Sequence, residues 1–305
     1  MIPLTLITST YFDPTSDFGF KKLFGEEANK DLLLDFLNVL LPKEHQIVSL
    51  EFQKTEQIPD HQEDRKAIFD IVCQGFTGET FIVEMQKAQM KFFNDRSLYY
   101  STFPIQKQAP RGIWNFELTR VYLISILDFD YDINTKYWKK RQLLRSCALK
   151  DDNGVLMTDK LYFKFLQLPY FNKTEKQLKT HFDKWCYFLK NLENLDHIPK
   201  ILNEPVFMKA FDVAEVANLD MTDYVLYQIS KSKKYDWELF RMETEERAMK
   251  EGMEKGMEKG MEKERERLNT ELVLRLHHLN KMPQEICGLT GLPLDYVLGI
   301  IKKHS

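Results

Sequence analysis

Two short apolar runs around a glycine-bracketed turn constrain this sequence more than any other stretch. Phe69-Asp70-Ile71-Val72-Cys73-Gln74-Gly75 and Thr80-Phe81-Ile82-Val83-Glu84-Met85-Gln86 are rich in β-branched and aromatic residues, and Gly75 and Gly78 flank the reversal between them. That is the pattern of a β-hairpin. A turn centred on Thr77 sets position 70 opposite position 84, and opposed residues of an antiparallel pair share a face. Glu84 and Gln86, two apart on one strand, lie on that face as well. Ile68, Val72 and Ile82 are read as their companions there, which places the acids among apolar neighbours. A carboxylate so placed needs a partner, and a metal ion is one of the few that satisfies two at once. Alternation of this kind also fits a strand whose polar side simply faces water, and spacing alone does not choose between the two.

The rest of the composition narrows the class. A chain of 305 residues with 43% hydrophobic and 29% charged residues has the makings of a globular protein with one large domain or a domain with an appendage. A net charge of −3 provides no global basic field, so a nucleic-acid partner would be held by local cations and a metal. Cys73, Cys147, Cys186 and Cys287 are far apart with no CxxC spacing, which argues against zinc fingers and a disulfide framework. The first ten residues lack the basic start and apolar length of a signal peptide. No apolar run approaches the about 18 residues of a membrane helix. The expectation is a cytoplasmic protein without a membrane partner.

Along the chain, residues 12 to 41 read as helix around a break, opened by the turn and cap residues Pro14-Thr15-Ser16-Asp17 and stopped by Pro42. A strand is expected over 47–52 and a helix over 92–108. The run from Val121 to Phe129 is continuously apolar, as in a central strand buried on both faces. Further strands are expected over 155–157 and 161–168, completing a mixed α/β layer, and residues 174–235 turn mostly helical. Lys136, Lys139, Lys140, Arg141 and Arg145 interleave with aromatics, and Lys231, Lys233 and Lys234 form a second small basic patch.

The texture then changes. Gly252, Gly256 and Gly260 recur in a Gly-Met-Glu-Lys repeat, a weak helix in isolation because each glycine costs roughly 1 kcal/mol. It reads as a charged linker, or as a helix formed on association through its close-approach spacing. Leu268, Leu272, Leu276 and Leu279 are expected to line one helix of a small C-terminal module whose outline is that of a helix-turn-helix. The domain reading is therefore 1–240 for the main domain, 241–265 for the repeat and 266–305 for the helical module. Self-association through the last two is expected.

Ser16-Asp17-Phe18-Gly19-Phe20-Lys21-Lys22-Leu23-Phe24-Gly25, the Asp70 and Glu84-Met85-Gln86 strands, and Arg96 with Tyr99-Tyr100 resemble, in that order, the recombination-promoting nucleases (Rpn), a transposase-like family of the PD-(D/E)XK superfamily. Val121 to Leu127, Leu166 to Phe171 and the glycine-spaced repeat fit the same order. The resemblance implies a restriction-endonuclease-like core, a mixed β-sheet flanked by helices, with a helical C-terminal extension. By position it makes Asp70 and Glu84 metal ligands, Asp17 a further acidic ligand, and Asp70, Glu84 and Gln86 the catalytic set. Lys21, Lys22 and Arg96 become candidates for substrate phosphate. The implied cofactor is Mg²⁺, with Mn²⁺ as an alternative, and the implied partner is DNA.

One departure stands out. Gln86 occupies the place where the superfamily usually has lysine, and an amide orients water but brings no positive charge. Lys87 falls on the opposite face of a regular strand. The leading reading is a metal-dependent DNA endonuclease associated with recombination or mobile elements. The alternative is a weakly active or inactive nuclease fold that binds DNA or itself, and an RNA substrate is compatible with the same residues.

Overall fold

The computed structural model describes residues 9–57, 67–88, 90–110, 112–131 and 141–304. It divides into two compact units, Met1–Lys234 and Tyr235–Ser305. The first contains a six-stranded mixed sheet of β1 (Leu50–Phe52), β4 (Ile71–Gly75), β5 (Thr80–Gln86), β6 (Val121–Leu127), β8 (Leu161–Gln167) and β7 (Leu144–Ala148), in the spatial order β1-β4-β5-β6-β8-β7. A two-residue pair, β2 (Glu56–Gln57) and β3 (Ala67–Ile68), stands apart from it.

The hairpin forms in the expected register. Ile71 opposes Val83 and Val72 opposes Ile82, which carries Asp70, one residue before the strand, to a place opposite Glu84. The turn closes with Gly78 at φ +92°, a conformation that suits glycine, and its carbonyl accepts from Thr119 Oγ1 and Gln74 Nε2. β5 then pairs antiparallel with β4 and parallel with β6, and β6 pairs parallel with β8. Every residue of β6 is buried, as its largely apolar sequence favours, Ser125 included.

Helices cover both faces. On one lies α3 (Phe93–Lys107), where Phe93, Tyr100 and Phe103 pack against Val72, Ile82, Leu123, Leu127 and Phe165. On the other, α1 (Asp17–Phe24), α2 (Lys30–Leu40), α4 (His181–Asn191) and α5 (Pro205–Ala214) share a core with Cys73, Phe81, Val83, Tyr122 and Ile124. Trp185 anchors that core, fully buried against Phe24, Phe36 and Phe207, with its indole N–H donated to Asp35.

Several expectations need correction. The strand over 155–157 does not form; Val155 and Met157 are exposed, and only an isolated bridge joins Lys150 to Leu156. The sixth strand is instead β7, a half-exposed edge whose Leu-Arg-Ser-Cys-Ala sequence carries no strong alternation. Arg145 accordingly lies on a strand, while Lys136, Lys139 and Lys140 fall outside the described residues. The strand over 47–52 shortens to Leu50–Phe52. Ile68 is exposed and Phe69 takes the expected apolar place beside the acids, because the chain leaves regular strand geometry at 69–70.

α6 (Met221–His278) is a continuous helix that includes the whole Gly-Met-Glu-Lys repeat. In the second unit it is followed by α7 (Pro283–Thr290) and α8 (Leu294–His304). Their small core is Val273, Ile286, Val297 and Ile300, with Leu276 packed against it. Leu268, Leu272 and Leu279 remain exposed, so the expected leucine line is not the buried face of this helix.

The entry to α1 is tightly built. Ser16 caps the helix by accepting from the Gly19 N–H at 2.9 Å, and its hydroxyl donates to the Asp13 carbonyl. A Cβ on Gly19 would stand 2.1 Å from that carbonyl oxygen and 2.9 Å from the Phe12 ring. Gly19→Ala is therefore expected to destabilise the protein by about 1–3 kcal/mol or more, read as a lowered melting temperature. An unchanged melting curve would contradict this packing.

Candidate active site

Asp70 and Glu84 come together at the end of the β4–β5 hairpin, on the face covered by α3. Asp70 Oδ2 accepts the Met85 N–H at 2.8 Å, which ties the acid across to the neighbouring strand. Glu84 is only 4% exposed. Its Oε2 accepts from Gln86 Nε2 at 3.1 Å and lies 3.6 Å from the Arg96 guanidinium. Its Oε1 is buried and has no hydrogen-bond partner among the described residues. Arg96 in turn rests over the Tyr100 ring at 4.8 Å, and α3 thus brings a cation to the acid pair.

The electrostatics follow from this crowding. Burial, and then the charge of Asp70, push the Glu84 carboxyl up to about 7, against the pull of Arg96 and Gln86. Burial also raises Asp70, opposed by the Met85 N–H and by the charges of Lys21 and Arg96, while Asp17 adds to the rise. Two acids that share a half-dry space are both shifted upward, burial being the larger cause for each. This is the condition in which a cation would be bound.

The remaining expected residues sit as follows. Asp17 and Lys21, one turn apart on α1, pair at 2.7 Å and are both accessible; their charges reach Asp70. Lys22 is turned to Asp223 at 2.6 Å and Glu26 at 2.7 Å, already carrying two carboxylates. Gln86 shares the face of Glu84, as its spacing requires. Lys87 points the other way, to Asp13 Oδ2 at 2.7 Å. Among the described residues, no group of three or more His, Cys, Asp or Glu side chains converges on one metal position, so Asp17 stands outside the close pair.

Asp13 is the residue that sequence reasoning passed over. It is buried, its Oδ1 accepts from the Thr15 N–H and hydroxyl, and its Oδ2 takes both Lys87 and Lys234. Burial alone would raise its carboxyl, but Lys87 and Lys234 hold it at about 2. The loop leading to Asp17 is thereby fastened to the end of the Glu84 strand. The available signal was an aspartate two residues before a threonine, beside a proline, which is the pattern of a local side-chain turn.

The profile of the PD-(D/E)XK nuclease family transposases matches residues 14–263. The chain belongs to that family. The mixed sheet with flanking helices agrees with its nuclease fold, and the match runs from the loop before Asp17 to the last lysine of the glycine-spaced repeat. No curated protein and no solved structure matches the chain. Among the described residues, no helix is long and apolar enough to cross a membrane.

The raised Glu84 gives a pH signature. An acid whose folded-state pKa is raised binds its proton more tightly when folded, so stability is lost as pH rises from the unfolded value near 4.5 through about 7. Without added metal, the protein is expected to lose on the order of 1–3 kcal/mol over that window. Glu84→Gln should flatten this part of the profile and raise the melting temperature at pH 8. Equal slopes for both proteins would refute the assignment.

Proposed function

We propose that this family member hydrolyses phosphodiester bonds of DNA with a divalent cation, Mg²⁺ or Mn²⁺, held by Asp70 and Glu84, and that it serves recombination or mobile elements. The observation that carries the reading is the pair itself: two buried or half-buried acids, opposed across one hairpin, with Glu84 Oε1 lacking any partner among the described residues. Hard carboxylate oxygens suit such ions, which need only one or two carboxylates beside substrate phosphate and water. When bound, the cation supplies Lewis acidity, lowering the pKa of a coordinated water and neutralising charge at the phosphate.

The chain's own residues have distinct tasks in this reading. Asp70 is fixed by the Met85 N–H, and Glu84 by Gln86. The Gln86 amide can orient an attacking water, although it cannot lend it positive charge. Arg96 answers part of that deficit, since its guanidinium already faces Glu84 Oε2. Lys21 is accessible and its charge reaches Asp70, which suits it to a phosphate oxygen. Lys22 could serve only by leaving Asp223 or Glu26, and Asp17 could join the ligands only by opening its pair with Lys21.

Nicking of supercoiled plasmid with Mg²⁺ or Mn²⁺ tests the proposal. Wild type should cut, and Asp70→Ala and Glu84→Ala should each lose at least about 100-fold, the scale of removing a main electrostatic contributor. Matched DNA and RNA substrates decide the nucleic acid. If wild type and both variants give one background rate, the weakly active or inactive alternative, motivated by Gln86, replaces the enzyme reading.

We further propose that residues 240–305 mediate self-association. Among the described residues, Gly252, Gly256 and Gly260 have no neighbour within 4 Å of a Cβ outside the helix's own backbone, so nothing described gives a packing reason for three costly glycines. Met253, Met257, Met261, Leu268 and Leu272 are all exposed on the same helix, and so is Leu279 just past its end. Light scattering should find a smaller assembly for a chain ending at Arg241 than for the full protein. Equal numbers of subunits would overturn the proposal.

A further inference from the structure

Ser125 is an anomaly in β6. It is the one polar residue in the Val-Tyr-Leu-Ile-Ser-Ile-Leu strand apart from the tyrosine, it is wholly buried, and its hydroxyl has no hydrogen-bond partner among the described residues. An unsatisfied buried hydroxyl lowers stability, so a serine here needs a compensating role. Leu123 and Leu127, two residues to either side, belong to the cluster beneath α3, which puts the Ser125 side chain on the same face of the sheet. In the parallel ladder its direct partner is Glu84, whose neighbour Ile82 lies in the same cluster.

Two orphaned oxygens therefore sit on adjacent strands, at paired positions and on one face. One belongs to a hydroxyl with a proton to give, the other to a carboxylate that only accepts when ionised. The other buried hydroxyls of the α3 helix give their protons elsewhere: Ser97 donates to the Phe93 carbonyl and Ser101 to the Leu98 carbonyl. Gln86 and Arg96 address Glu84 at Oε2, so Oε1 is the oxygen still to be satisfied.

We propose that Ser125 is a positioning residue for Glu84, its hydroxyl donating to the carboxylate when Glu84 is charged and holds the divalent cation. The inference rests on the metal-site reading above and adds to it a residue that touches neither cation nor substrate. Its effect is to hold the carboxylate in the orientation that suits the ion, the usual service of a hydrogen bond behind a metal ligand.

The test is Mn²⁺ titration of the full-length protein followed by electron paramagnetic resonance of the free ion, with melting temperatures taken in the absence of metal. Ser125→Ala should weaken Mn²⁺ binding by about 10-fold or more. Its metal-free melting temperature should be unchanged or higher, since an unpartnered hydroxyl is removed. Ser125→Cys, slightly larger than serine and a poor donor, should weaken binding in the same direction, whereas a packing effect would separate the two variants. Ser125→Thr should restore affinity to within about 3-fold. Wild-type affinity in Ser125→Ala alongside lost affinity in Asp70→Ala would overturn the role of Ser125 and leave the metal site standing. Mn²⁺ binding that Asp70→Ala does not alter would instead overturn the metal-site reading, and this inference with it.

Discussion

The two ladders of β5 decide which side chains meet Glu84. On one side the strand runs antiparallel to β4, in a register that ends at Val83, one residue short of Glu84, and on the other parallel to β6, in a register that includes it. The antiparallel ladder brings Asp70 opposite it, and the parallel ladder brings Ser125. A slip of one residue in either would turn Glu84 to the other face, into the core built around Phe81 and Val83. The apolar faces of β5 and β6 and the glycine at position 78 hold that register, so the ordinary requirements of packing also set the position of the acids.

The site departs from core logic in a consistent direction. Glu84 is buried with too little positive charge around it, and its carboxyl is held up near neutrality as a result. Arg96 supplies part of the missing charge from α3, facing the same Glu84 oxygen that Gln86 addresses. The positive charge thus comes from a helix instead of the strand, while Gln86 braces Glu84 by a neutral hydrogen bond.

Much of this could be read from residue order, because the informative segments are local. The hairpin register follows from a short loop with glycines at fixed places, and β6 follows from the dense apolar run that starts at Val121. What escaped was set by long-range context. β7 is an edge strand with neither strong alternation nor apolar density, so only its pairing with β8 defines it. The expected strand at 155–157 has the right residue types in a loop that never meets the sheet. Leu268, Leu272 and Leu279 have helical spacing, yet Val273 and Leu276 face the module's core, since helical period alone does not say which stripe is buried. Asp13 escaped because its two lysines arrive from segments far along the chain.

That carboxylate has a wider consequence. Lys87 follows the strand that carries Glu84, and Lys234 lies on α6, yet both neutralise the same Asp13 oxygen. Each lysine is stabilised by an anion whose field the other already weakens. The two positions are therefore energetically linked without touching, and one carboxylate couples the end of the Glu84 strand to α6.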